Sequence, residues 1–231
     1  MANDFAVEAL GRCPLFCGLG TGPRQAIAQT LRTRRFRRGE VLFHEGDPGD
    51  SLFIVASGSV KVVVPSEEGD EAILATLRRG DFLGELALLD GAPRSASAIA
   101  LEATEALALP RDRFTALVAS EPAIRDALLS ALAAELRRLT AHVAELHFLD
   151  LTGRLAARLA RQAEEHGSRA ADGSIRLDAP VTQSDLAAMI GATRQSVNKL
   201  LGEFVENGLL RLDRDTIVIP DLEALVRVSR R

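Results

Sequence analysis

Between Pro122 and Gly153 the chain contains neither proline nor glycine. No other stretch constrains the fold as much, because a run that long without a breaker admits one regular element, a helix. Ser120 offers a cap and Pro122 a proline in the first turn, both start signals. Residues 120–150 therefore read as a single helix, and about 27 residues at roughly 1.5 Å each would span about 40 Å. Leu132, Leu136, Leu139, Val143 and Leu146 recur at spacings of 4, 3, 4 and 3. That is an a/d seam, the narrow stripe that two helices bury against each other. Arg137, Arg138, His142 and Glu145 lie off it. The seam reads as a dimer spine. A long helix packed on its own domain is the alternative, since the seam is shorter than the three to four heptads of an established coiled coil.

The 231 residues suffice for one large domain or two small ones, and 47% hydrophobic with 26% charged residues is the balance of a soluble globular protein. No apolar run reaches the length of a membrane span. The N-terminal stretch carries Asp4 and Glu8 in place of a basic region, so it is not a signal peptide, and a cytoplasmic protein is expected. Two cysteines, Cys13 and Cys17, are too few for a disulfide framework or for the four thiolates of an iron–sulfur cluster. Metal-ligand spacing, a nucleophile–base pair and a dinucleotide glycine motif are all missing, so no enzyme is expected. The net charge of -4 argues against a general electrostatic attraction to nucleic acid. The acidic excess lies in residues 1–150, whereas residues 151–231 are close to balance. Any DNA contact must come from a few well-placed cations.

Residues 5–32 read as one or two short helices broken at Pro14 and between Gly18 and Pro23. Cys13 and Cys17 fall in that break as small buried or half-buried thiols. From Arg35 to Pro110 the texture changes. Apolar runs at 41–43, 52–56, 60–64, 73–77, 97–101 and 106–109 alternate with turns such as Gly46-Asp47-Pro48-Gly49-Asp50, Ser57-Gly58, Glu67-Glu68-Gly69-Asp70 and Arg79-Gly80-Asp81. Short strands at regular spacing with turn signals predict an all-β sandwich or barrel. His44 sits beside a turn as a surface residue.

One stretch inside this region does not read as strand: Gly84-Glu85-Leu86-Ala87-Leu88-Leu89, followed by Arg94-Ser95-Ala96. Gly84 opens one short helical turn, whose free N–H groups favour an anion. Arg94 adds a guanidinium fork suited to phosphate, and Ser95 adds a hydroxyl. Glu85 would repel phosphate and needs another partner, such as a sugar hydroxyl. The set fits a nucleotide held by phosphate and ribose; an Arg94–Glu85 ion pair closing a loop is the alternative.

Residues 110–119 predict a short helix, with Phe114, Leu117 and Val118 on its apolar side, leading into the spine. Thr152 and Gly153 mark a hinge, and another helix runs to Gly167. Residues 175–177 predict a strand. In the next segment, Thr182 and Asp185 form a capping-box-like start, Leu186, Met189 and Ile190 an apolar side, and Gly191-Ala192 a tight turn. Thr193 caps a second helix carrying Val197, Leu200, Leu201 and Phe204, stopped by Asn207-Gly208. Two short helices joined by a glycine turn make a helix-turn-helix. Residues 209–212 and 216–219 predict a hairpin wing across Asp213-Arg214-Asp215. In such a motif the start of the second helix meets base edges in the major groove. Arg194 suits guanine and Gln195 adenine, with Lys199 on the same face. Thr193 and Ser196, and Arg211 and Arg214 on the wing, reach phosphate. Asp221 caps a last short helix before a basic Arg227-Arg230-Arg231 tail.

The Gly84-Glu85-Leu86 and Arg94-Ser95-Ala96 runs resemble the phosphate-binding cassette of cyclic-nucleotide-binding domains. With the Phe148-Leu149-Asp150-Leu151-Thr152-Gly153-Arg154 run and the helix-turn-helix, nearly the whole chain resembles the cyclic-AMP receptor protein and fumarate–nitrate regulator family. The resemblance implies an α+β chain. Residues 1–119 form a jelly-roll-like cyclic-nucleotide-binding β-roll, 120–150 a dimerisation helix, and 151–231 a winged helix-turn-helix. It implies backbone contacts to the effector from Gly84 and Ala96, with Leu86 beside them. Glu85 takes the ribose 2′-hydroxyl, and Arg94 and Ser95 take the cyclic phosphate. Aligned through the Phe148 run, the family's adenine-contacting Thr-Ser pair falls at Leu139 and Thr140; Leu139 cannot hydrogen-bond to a base, whereas Thr140 can, across the dimer from the partner helix. Three states stay open: cyclic AMP bound in a modified way, another ligand such as cyclic GMP or a different small effector, or no ligand. No metal, haem or iron–sulfur cluster is expected. Recognition residues carry over as Arg194, Gln195 and Lys199; the receptor protein has glutamate where Gln195 stands. The implied function is transcriptional regulation by a homodimer on an inverted repeat of double-stranded DNA, together with RNA polymerase. The alternatives are a constitutive DNA binder or a regulatory module of a partner enzyme.

Overall fold

The computed structural model describes residues 2–66, 71–178, 182–213 and 216–229. The expected turn at 67–70, Val181, the wing tip Arg214 and Asp215, and Arg230 and Arg231 lie outside these. The chain divides into two compact units, Met1–Leu136 and Arg137–Arg231.

The first unit opens with α1 (Ala2–Arg12) and α2 (Thr21–Ala28), then β1 (Arg32–Phe36), β2 (Val41–Phe43), β3 (Ser51–Ser57), β4 (Ser59–Pro65), β5 (Glu71–Arg78) and β6 (Phe82–Leu83). There follow α3 (Glu85–Asp90), β7 (Ser97–Ala100), β8 (Thr104–Pro110) and α4 (Arg111–Ser120). Two antiparallel sheets result, ordered β1-β8-β3-β6 and β2-β7-β4-β5. Phe53 and Val55 of β3 join Ala106 and Ala108 of β8 in a core with Leu42, Val60 and Ala98 from the second sheet. Their neighbours Leu52, Ile54, Leu107 and Leu109 point the other way, into a second core with Leu10, Phe16, Phe114, Ile124 and Leu128. β3 is covered on both faces, one by the opposite sheet and one by helices, which is why it reads as a continuous apolar run instead of an alternation.

The spine is α5 (Pro122–Phe148), 27 residues long. Ser120 does not cap it: Ser120 closes α4, and Glu121 stands between the helices in an extended conformation (φ -112°, ψ 97°). Ile124 and Leu128 anchor its first turns in the first unit. Leu136, Leu139, Val143 and Leu146 along the seam are exposed.

The second unit takes the end of α5, then α6 (Leu151–His166), β9 (Ser168–Arg169), β10 (Ile175–Asp178), α7 (Gln183–Ile190), α8 (Arg194–Glu206), β11 (Arg211–Asp213), β12 (Thr216–Ile219) and α9 (Leu222–Val228). The break after the spine falls at Leu149 and Asp150, not at Thr152 and Gly153. Asp150 caps α6 by accepting from the Gly153 N–H at 2.7 Å, which places Thr152 and Gly153 inside its first turn. Arg154 then fastens the spine end: it donates to the carbonyls of Leu149 (3.0 Å), Leu146 (2.8 Å) and Ile190 (3.4 Å). Arg161 pairs with Glu145 across the same corner. Half-buried Arg158 donates to the Met189 sulfur at 3.2 Å, and desolvation lowers its pKa to about 10. The wing is broader than expected, since β9 and β10 extend it into a sheet ordered β11-β12-β10-β9.

Candidate functional site

Gly84 takes a left-handed conformation (φ 87°) and opens α3 as the sequence predicts. A Cβ there would lie 2.3 Å from Nη1 of Arg94, so the close approach of backbone and guanidinium requires glycine. Arg94 is 3% exposed. Its Nη1 donates to the Gly84 carbonyl and its Nη2 to the Ser51 carbonyl, both at 2.7 Å. The guanidinium stacks over Phe43 at 4.3 Å from the ring centroid. Burial lowers its pKa, and the nearby Asp50 carboxylate opposes that fall. The ion-pair partner of Arg94 is Asp50, at 3.6 Å, rather than Glu85. Buried Nε of Arg94 has no hydrogen-bond partner among the described residues. An orphaned buried N–H on a cation is an unmet demand for an acceptor.

Glu85, the first residue of α3, is half-buried. Desolvation raises its carboxyl pKa, Glu135 on the spine pushes it further, and its own backbone N–H and Arg94 pull it back. Ser95 is exposed and Ala96 buried on either side of the loop's turn into β7, while Leu86 is 45% exposed. Gly84, Glu85, Arg94, Ser95 and Ala96 are thus gathered in one place by α3 and the loop that follows. Thr140 lies in the second unit, exposed on the spine one residue past Leu139.

Sequence reasoning missed one residue here, Arg111. Its Nε donates to the Gly49 carbonyl and its Nη2 to the Ala87 carbonyl, each at 2.8 Å. Arg111 follows a proline at a helix start, and nothing in its local pattern distinguishes it from a solvated arginine. Cys13 is buried and its thiol pKa is pushed up to about 12 by burial, whereas Cys17 is exposed and not the half-buried thiol expected.

In the second unit the helix-turn-helix is built as read. Thr182 and Asp185 exchange both bonds of a capping box, and Gly191 ends α7 in the left-handed region (φ 66°). Thr193 caps α8, accepting from the Ser196 N–H at 3.2 Å, and its hydroxyl meets that of Ser196 at 2.9 Å. The two hydroxyls are thereby committed first to the cap. Val197, Leu200, Leu201 and Phe204 are buried, which turns Arg194, Gln195 and Lys199 to solvent. Lys199 approaches Glu203 at 3.8 Å on the exposed face. Gln183 Nε2 donates to Asn198 Oδ1 at 3.3 Å, joining the start of α7 to the outer face of α8.

Residues 33–121 match the cyclic nucleotide-binding domain family, and residues 153–228 match the Crp-like helix-turn-helix domain. A CRP-like cAMP-activated global transcriptional regulator from Mycobacterium tuberculosis is 35% identical over 96% of this chain and 99% of its own length. The chain belongs to the CRP/FNR family of transcriptional regulators. The cyclic AMP receptor protein of Thermus thermophilus is 32% identical over 94% of this chain and 96% of its own. Among solved structures, a CRP/FNR-family transcriptional regulator from the same organism superposes with a TM-score of 0.70 at 28% identity, covering 87% of this chain and 99% of that one. The c-di-GMP responsive regulator CLP of Xanthomonas campestris shares the fold at a TM-score of 0.76, with 24% identity over 87% of this chain and 100% of that one. As a CRP/FNR regulator, the protein joins a cyclic-nucleotide-binding domain to a helix-turn-helix that binds DNA in control of transcription. Of the described helices, none is long and apolar enough to cross a membrane.

Proposed function

We propose that this regulator works as a cytoplasmic homodimer whose affinity for an inverted DNA repeat is set by a cyclic nucleotide in the β-roll. The observation that carries the effector reading is buried Arg94 with its unpartnered Nε, beside the exposed hydroxyl of Ser95. Together they suit an anionic phosphate, as Glu85 suits a ribose hydroxyl. Gly84 and Ala96 supply backbone contacts, Leu86 flanks them, and Thr140 meets the base. The exposed stripe of Leu136, Leu139, Val143 and Leu146 is the dimer seam. Arg194, Gln195 and Lys199 read bases, while Thr193 and Ser196 at the helix start contact phosphate. RNA polymerase is the partner on DNA, and the protein performs no catalysis.

A nucleotide that favours one arrangement of the two spines shifts the population toward it and so alters DNA affinity. Calorimetry of the purified protein with cyclic AMP and cyclic GMP tests the reading. Heat with one of them, weakened at least tenfold in Arg94→Lys, is the expected result. Lysine keeps the charge but loses the fork, whereas alanine would also empty a structural position.

A second reading is favoured by two observations. Both η nitrogens of Arg94 are already satisfied by backbone carbonyls, and Leu139 stands where the family contacts adenine. On that reading the protein binds DNA constitutively and the β-roll is structural. No heat with either nucleotide, together with tight DNA binding in their absence, selects it.

A further inference from the structure

Two arginines close the cassette, and they do so in the same manner. Arg94 joins the carbonyls of Ser51 and Gly84, and Arg111 joins those of Gly49 and Ala87. Each fork therefore ties one carbonyl from the turn at 49–51 to one from the cassette at 84–87. We propose that Arg111 is a positioning residue for the effector site: it sets α3 against the turn and links both to α4. The claim that this affects an effector rests on the reading that the cassette binds a cyclic nucleotide.

The need for such a tie follows from the size of α3. A helix of six residues has no stability of its own. Ala87 is among its last four residues, whose carbonyls lack partners within a helix, and Arg111 supplies one. The turn comes close enough for this because residue 49 is glycine; a Cβ there would lie 2.5 Å from the Ala87 Cβ. The Arg111 backbone N–H adds a further attachment, donating to the Asp50 carbonyl at 2.8 Å. Asp50 is also the carboxylate that approaches Arg94. Arg111 is the first residue of α4, and α3 packs on α4. Only Glu121 separates the end of α4 from the spine. A shift of α3 around a bound phosphate thus has a short, hydrogen-bonded route to the start of α5. Lysine cannot replace Arg111, because a single ammonium lacks the planar fork that reaches two fixed carbonyls at once.

The test uses the full-length protein and the variants Arg111→Met and Arg111→Lys. Hydrogen exchange is followed at residues 46–51 and 85–90, with the β3–β8 amides as the internal reference, alongside calorimetry with cyclic AMP and cyclic GMP. Both variants should exchange faster at those two segments while the reference amides keep their protection. Affinity for the nucleotide that the unaltered protein binds should fall about tenfold or more, the loss of two hydrogen bonds, without rescue by lysine. Unchanged exchange at 85–90, equal loosening of the reference strands, or rescue by lysine would each overturn the proposal, as would unchanged affinity for a nucleotide that binds the parent. If the parent binds neither nucleotide, the effector reading fails by itself, and the exchange data still decide whether Arg111 positions α3.

Discussion

At the scale of single residues, Glu85 carries the clearest linkage to pH. Its carboxyl is held above the ordinary carboxylate range, chiefly by burial. The folded chain therefore keeps this proton over a pH interval in which the unfolded chain, titrating at about 4.3, has released it. The stability contributed by Glu85 is present below that interval and is lost as pH rises through it. A hydroxyl donated to Glu85 favours the ionised form, so nucleotide affinity should rise with pH across the same interval. The expected outcome is that Glu85→Gln flattens the pH profile of nucleotide affinity and raises the melting temperature more at pH 7 than at pH 4. A parallel shift at both pH values would refute it. The residue types at this site were legible because a cassette keeps its chemistry within a short run of sequence. The partners of Arg94 were not: Ser51 and Asp50 come from a distant turn, and Phe43 from a strand that registers only as apolar. Arg111 was illegible for the same reason, since both its acceptors are backbone carbonyls, which leave no trace in composition.

At the scale of elements, most strands and helices with a buried face could be read, whereas β1, which has almost none, could not. β3, β4 and β8 announce themselves by apolar runs, and α7 and α8 by caps and a glycine turn. β1 was missed because Arg32, Thr33, Arg34 and Arg35 are all exposed and only Phe36 enters the core. Its strand conformation comes from pairing with β8, a long-range ladder that local pattern does not encode. The spine was legible in extent but not in role, because a seam visible in sequence does not say what covers it. In the single chain Leu136 is 67% and Val143 64% exposed. Replacing both with glutamate should leave circular dichroism and the melting transition nearly intact, since neither side chain fills the protein's own core. The same change places like charges opposite each other in a dimer. Sedimentation should show the ligand-free parent as a dimer and Leu136→Glu/Val143→Glu as a monomer. A dimer that persists in the double variant would place the interface elsewhere.

At the scale of the whole molecule, the border between the two compact units falls at Leu136 and Arg137, inside a continuous helix instead of in a linker. Beyond that border Arg154 and the Arg161–Glu145 pair lock the last turns of the spine to the helices that follow. A continuous helix is a shaft that keeps phase: each residue advances about 1.5 Å and turns about 100°. One residue inserted after Leu136 should therefore rotate everything beyond it by about 100° and split the seam. Seven inserted residues return within about 20° of the original phase at a cost in length of about 10 Å. DNA fragments selected by the parent protein from a random pool provide the assay. The single insertion should abolish their binding, and the seven-residue insertion, which restores the seam, should recover a dimer. A deletion in the spine, which changes the phase of every residue beyond it, is therefore expected to cost more DNA binding than a substitution at the same place, which leaves that phase unchanged.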